Sequence, residues 1–192
     1  MKKSATPKPA RKPRSDAQRN RERILEVAKQ VFTRRGTDAS MGEIARRAKI
    51  GPGTLYRNFA TRDDLLATVY ITEVEKLAAA QKRLSAELTP IKALRAWLLV
   101  FIDYIATKKI IVPALNAMAG GPSRVFQQSM QVMEEAANSL ASRAVARGDL
   151  RPDVDLKDWM RAIYGLSTVE SADDWPQKAR KFVDIFLRGS RP

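Results

Sequence analysis

Apolar positions recur at intervals of three and four along this chain, and from about Lys82 onward there is no sustained alternation that would suggest strands. The pattern predicts about nine helices. Ser15 with Gln18 forms a capping box that opens the first, to about Arg35, with Ile24, Leu25, Ala28, Val31 and Phe32 as its stripe and Gly36 suited to a left-handed position beyond its end. Ser40 with Glu43 opens a second at Met41, carrying Ile44, Ala45 and Ala48. Lys49-Ile50-Gly51 interrupts it. Pro52, with no amide hydrogen to lose, starts a third, whose inward side holds Leu55 and Phe59 and whose outward sides hold Thr54, Arg57 and Asn58. Thr61 with Asp64 begins a fourth, through Leu65, Leu66, Val69, Tyr70, Val74 and Leu77. Thr89-Pro90 begins a fifth, through Ile91, Leu94, Leu98, Phe101, Ile102 and Ile105, and a short apolar helix spans 110–118 with Pro113 near its start. A long helix then runs from Pro122 or Ser123 to about Arg147, capped by Gly148. Two more follow at about 155–169 and 175–187.

Two short helices separated by three or four residues, the second with a polar outer side, are the grammar of a helix-turn-helix whose second helix reads a DNA major groove. Charge agrees with this. Of a net +14, residues 1–62 hold 17 Lys and Arg against 5 Asp and Glu, whereas the other 130 residues hold 18 against 16. An end that neutralises phosphates, joined to an end with another task, accounts for such asymmetry. Met1–Arg14 has six basic residues, no acidic ones and prolines at 7, 9 and 13. It is expected to be disordered when free, either as an arm along DNA or as a solvated tail.

Composition narrows the function further. The chain has neither histidine nor cysteine. That excludes disulfides, thiolate chemistry, the usual zinc sites and histidine-based catalysis, so neither a metal nor a cofactor is expected. The acidic pairs Asp63-Asp64, Glu134-Glu135 and Asp173-Asp174 read as solvated helix starts or faces. No apolar run approaches the ~20 residues of a membrane helix, and the basic N-terminus lacks a secretory apolar stretch. The expectation is a cytoplasmic protein with no membrane partner.

Ile44-Ala45, the turn ending at Ile50-Gly51, Gly53-Thr54-Leu55-Tyr56, Phe59 and Arg62-Asp63-Asp64-Leu65-Leu66 together resemble the TetR family of bacterial transcriptional regulators. The likeness runs from about Ile24 to Leu66. It departs at Arg62, where the family most often has lysine. The resemblance implies an all-α fold: a three-helix helix-turn-helix domain (15–62) after the basic arm (1–14), then a helical effector-binding and dimerisation domain (63–192). It also implies a homodimer on an inverted-repeat operator in double-stranded DNA, acting as a repressor released by a small effector. Gly53, Thr54, Arg57 and Asn58 become candidates for base contacts, with a phosphate an equal alternative for Arg57. Tyr56 and Arg62 become phosphate anchors, joined by Ser40 through its helix N-terminus.

Two features of the second half take competing readings. Trp97, Phe101, Tyr104, Met118, Phe126, Met130 and Met133 are large, adaptable side chains on three helices. They fill a core or, as the resemblance favours, line an apolar effector pocket with Tyr104, Asn116 and Gln127 as polar handles. The lack of a charged set among them suggests a hydrophobic or weakly polar effector. On the last two helices, Trp159, Ile163, Leu166, Phe182, Val183 and Phe186 belong either to the subunit's own core or to a four-helix dimer interface. Two functions from other classes stand beside the regulator. One is an architectural or non-specific DNA-binding protein without an effector. The other is a helical enzyme, which finds no catalytic constellation in the sequence.

Overall fold

The first helix, α1, runs Pro13–Arg35, so it opens two residues ahead of the cap expected at Ser15. Proline suits a first turn because its missing amide hydrogen would have no partner there. Gly36 follows in the left-handed region, φ +54°, and starts a short 3-10 turn, Gly36–Asp38. The computed structural model describes residues 13–117, 123–169 and 174–192. Residues 1–12, and with them nearly all of the basic arm, lie outside these.

Helix α2 (Met41–Arg47) is capped by Ser40, whose Oγ accepts the Glu43 amide at 3.2 Å. The Glu43 carboxylate turns instead to Arg47, 2.9 Å away. At the other end the Lys49 amide bonds the Arg46 carbonyl and the Ile50 amide bonds the Ala45 carbonyl, which is a Schellman closure. Lys49 holds the left-handed position, φ 53°, that glycine usually takes. Helix α3 (Pro52–Asn58) starts with Pro52 in its first turn and ends at Phe59. Helix α4 (Arg62–Glu87) begins with a complete capping box: the Thr61 hydroxyl accepts from the Asp64 amide at 3.0 Å, and the Asp64 carboxylate accepts from the Thr61 amide at 3.1 Å.

One predicted boundary disappears. Helix α5 is continuous over Pro90–Asn116, so the described residues form eight α-helices and no strand. Pro113 does not break it, because it lies exposed in the last turn, where only the bond to the Lys109 carbonyl is lost. The burial of Phe101, Ile105, Ile111 and Leu115 carries one stripe across the expected break. Then come α6 (Ser123–Ala146), α7 (Leu156–Val169) and α8 (Trp175–Gly189). Gly148, φ +75°, closes α6 with a second Schellman pair to the Val145 and Ala144 carbonyls. No helix among the described residues is long and apolar enough to cross a membrane.

The buried apolar side chains form one cluster from Ile24 to Leu187. Helix α4 runs through it. It packs against α1, α5 and α6. The Trp97 indole N–H, buried on α5, donates to the Leu77 carbonyl of α4 at 3.0 Å, so the seam is hydrogen-bonded as well as packed.

Candidate functional site

The outer flank of α3, expected from the pattern to be a reading surface, is open to solvent. Leu55 and Phe59 are buried behind it, while Gly53, Tyr56, Arg57 and Asn58 are exposed and Thr54 is half-buried. Arg21 of α1 lies over the Phe59 ring at 4.6 Å, holding the reading helix from behind. Arg57 folds along its own helix, donating to the Gly53 carbonyl at 3.1 Å and the Thr54 hydroxyl at 3.2 Å. Asn58 likewise donates to the Thr54 carbonyl at 2.8 Å. Both are local, exposed bonds that a nucleotide partner can replace at small cost. Ser40 is exposed just ahead of α2, its oxygen accepting the Glu43 amide.

Arg62 sits differently. Its guanidinium donates to the carbonyls of Ala39 (3.0 Å), Gly36 (3.2 Å) and Thr37 (3.0 Å), and lies over the Phe32 ring at 5.3 Å. The planar fork therefore ties the start of α4 to the turn between α1 and α2 through its Nε and one terminal nitrogen, while the other terminal nitrogen lies 3.5 Å from the Asp63 carboxylate. A fork of this shape is what arginine has and lysine lacks.

A cavity of about 300 Å³ lies in the second half of the chain, between α5, α6 and α7. That is at the lower end of the roughly 300–1,000 Å³ of small-molecule sites. Four of the seven predicted pocket residues, Phe101, Tyr104, Met130 and Met133, line it. Trp97 does not: it is fully buried and stacks on Phe101, as a core residue. Phe126 packs edge-on against Tyr70 outside the lining, and Met118 falls outside the described residues. Asn116 and Gln127 are exposed and are no part of the wall. The pattern missed Ile105 and Lys108 of α5, Glu134 of α6, and the whole contribution of α7: Lys157, Met160, Arg161 and Tyr164. The α7 stripe was legible as apolar but was assigned to the interface. Only the fold shows that its other side meets the cavity.

The wall carries two unusual polar features. The Tyr104 hydroxyl donates to the Tyr70 hydroxyl of α4 at 2.7 Å within the core. Burial pushes both phenols above their ordinary range, Tyr104 far above it, with the neighbouring Tyr70 adding to the effect there. For Tyr70 the bonds with Tyr104 and Ser129 oppose it in part. Lys108 is the second. Its ammonium lies over the Phe126 ring at 5.1 Å and the Tyr164 ring at 5.6 Å, and burial holds its pKa below the usual lysine range.

The predicted interface residues separate into two groups. Ile163 and Val183 are fully covered inside the subunit and Trp159 nearly so, stacked on Phe186 at 5.0 Å. They belong to the subunit's own packing of α7 and α8 on α5. Leu166, Phe182 and Phe186 stay half-exposed, and Val169 and Ile185 are exposed.

Known proteins share this arrangement. Residues 24–69 match the family model of bacterial regulatory proteins of the tetR family, and residues 89–192 match that of the SbtR-like transcriptional regulator C-terminal domain. The solved TetR transcriptional regulator SCO0520 of Streptomyces coelicolor is 39% identical and superposes with a TM-score of 0.80, covering 90% of this chain and 98% of that one. A TetR transcription regulatory protein of Mycobacterium vanbaalenii is 29% identical, with a TM-score of 0.64, over 93% of this chain and 99% of that one. The HTH-type transcriptional regulator SrpR of Pseudomonas putida is 26% identical over 171 residues, 83% of this chain and 76% of that protein.

Proposed function

The chain belongs to the TetR family of transcriptional regulators, and from that premise we propose that it is a homodimeric repressor released from an inverted-repeat operator by a small molecule held between α5, α6 and α7. The observation that carries this reading is the course of α4. It starts at Arg62, clamped to the turn beneath the reading head, and eight residues on it presents Tyr70 to Tyr104 in the cavity wall. A ligand that moves Tyr104 thus pushes on the helix whose start is tied to the turn between α1 and α2, from which α2 and, packed on it, α3 take their position. Two α3 helices in successive major grooves bind only while their separation matches the half-sites. The effector releases the dimer because it prefers the arrangement in which that match is lost; equal affinity for both would shift nothing. Gly53, Thr54, Arg57 and Asn58 are then the base-facing residues, Tyr56 and Ser40 touch the backbone, and Arg62 positions the head rather than holding a phosphate.

Selection of bound fragments from genomic DNA tests the reading. The expected result is a small set of sites sharing one inverted repeat, with about 10³-fold or greater preference over random DNA at physiological salt. A flat affinity profile would replace the regulator mechanism with an architectural or non-specific DNA-binding role.

A further inference from the structure

The cavity is apolar in area and cationic in charge. Phe101, Ile105, Met130, Met133 and Met160 supply the apolar wall, yet three cations, Lys108, Lys157 and Arg161, stand around it against the single carboxylate of Glu134. Two of the three are balanced: Lys157 pairs with Glu134 at 3.0 Å, and Arg161 with Asp158 at 3.0 Å. Lys108 is not. Among the described residues it has no carboxylate or carbonyl partner, and two aromatic rings are all that faces its ammonium. Aromatic faces attract a cation by about 0.5–2 kcal/mol each and leave its hydrogen-bond donors unused. A half-buried ammonium paired with no carboxylate or carbonyl, at the edge of an apolar chamber, is an under-compensated charge. An incoming anion relieves it.

We propose that the effector is an amphipathic organic monoanion, one acidic group on an apolar body, whose acid binds the Lys108 ammonium while the body fills the space between Phe101 and Met160. The proposal rests on the cavity being the effector site. The burial that depresses the Lys108 pKa in the free protein is the same desolvation that strengthens its bond to a carboxylate, sulfonate or phenolate within the chamber. Tyr164, exposed at 45% and lying against Lys108, caps the acid end; Tyr104, bonded to Tyr70, receives the push of the apolar body.

Two fluorescent probes with one skeleton separate the ideas. Anilinonaphthalene sulfonate carries an acid, and phenylnaphthylamine is the same framework without it. The full-length protein is titrated with each, alongside Lys108→Met, Lys108→Arg and Lys82→Met, the last being an exposed cation on α4 away from the cavity. The expected result is that the wild type and K82M bind the sulfonate about tenfold or more tightly than the neutral amine. K108M loses that preference while still binding the amine, and K108R restores most of it. Equal binding of both probes, unchanged in K108M, overturns the anionic effector and leaves the cavity as a site for a neutral one. A sulfonate preference lost equally in K82M assigns it to the protein's general positive charge and also overturns the proposal. Failure of both probes to bind the wild type overturns the anionic effector at this cavity and leaves the repressor reading to the DNA selection.

Discussion

At the scale of single residues, Arg57 and Arg62 differ in what they bond. Arg57 has only short-range, exposed bonds to its own helix, so Arg57→Ala should leave stability within about 0.5 kcal/mol of the wild type. If Arg57 reads a guanine, the same change removes about 1–3 kcal/mol of operator affinity at one base position, and a panel of single-base operator variants locates it. A uniform loss over all variants would place the side chain on phosphate. Arg62 gives the opposite pattern. Its fork joins three carbonyls, and Arg62→Lys keeps the charge while losing that geometry. Urea denaturation should show a loss of about 1–3 kcal/mol. A phosphate anchor would instead tolerate lysine with unchanged stability. Lys49 carries a left-handed backbone that disfavours any side chain by about 1–2 kcal/mol, set against the larger unfolded-state entropy of glycine. Lys49→Gly should therefore raise stability by about 0.5–1 kcal/mol in the same assay.

At the scale of helices, most of the fold was legible because its signals are local. A capping box such as Thr61-Asp64, a left-handed glycine such as Gly36 or Gly148, and a stripe such as Leu65-Leu66-Val69-Tyr70 are each decided within a turn or two of chain. Local signals misled where neighbours outvoted them. The pattern ends one helix after Ile105 and starts another at Ile110, but a buried stripe from Phe101 to Leu115 and the solvent-facing Pro113 ring let α5 continue. What local pattern could not show is which helices touch. Lys29 of α1 bonds Glu73 of α4 at 2.6 Å, and Lys76 adds a second bond at 2.8 Å. Burial alone would push the Glu73 carboxyl up; the two ammonium groups outweigh it and hold it below the ordinary range. A carboxyl depressed in the folded state contributes stability that is present above its unfolded pKa and lost as pH falls through the folded value. Glu73→Gln should accordingly be less stable than the wild type at neutral pH. The gap should begin to close below about pH 4.3 and vanish in stronger acid, as followed by helix content at fixed urea. A constant gap across the acid range would mean that Glu73 contributes shape and not charge.

For the whole molecule, the same reasoning explains why the reading head was read from sequence more fully than the cavity and the exposed face. The head is a contiguous stretch whose polar and apolar sides are fixed by one helical turn. The cavity and the outer face are made by opposite sides of α7, and a helix buried on one side and covered by a partner on the other looks the same in sequence as one buried twice. Ile163 and Val183 turned out to be covered within the subunit, whereas Ile185 and Val169 remain 57% and 85% exposed. Phe182 and Phe186, three and one positions from Ile185 along α8, leave with it an apolar face that a second copy would cover in the proposed dimer. Ile185→Glu tests that arrangement cleanly, because the side chain already faces solvent and its replacement leaves the packing beneath, from Val183 to Leu187, untouched. Sedimentation at micromolar concentration should show the mass falling from twice 21.5 kDa to 21.5 kDa, with helix content retained. Operator affinity should fall by at least 10²-fold, since two reading heads that are no longer linked bind their half-sites one at a time. A variant that keeps the doubled mass would move the interface away from α8, and a wild type already at 21.5 kDa would remove the dimer and with it the spacing mechanism of release.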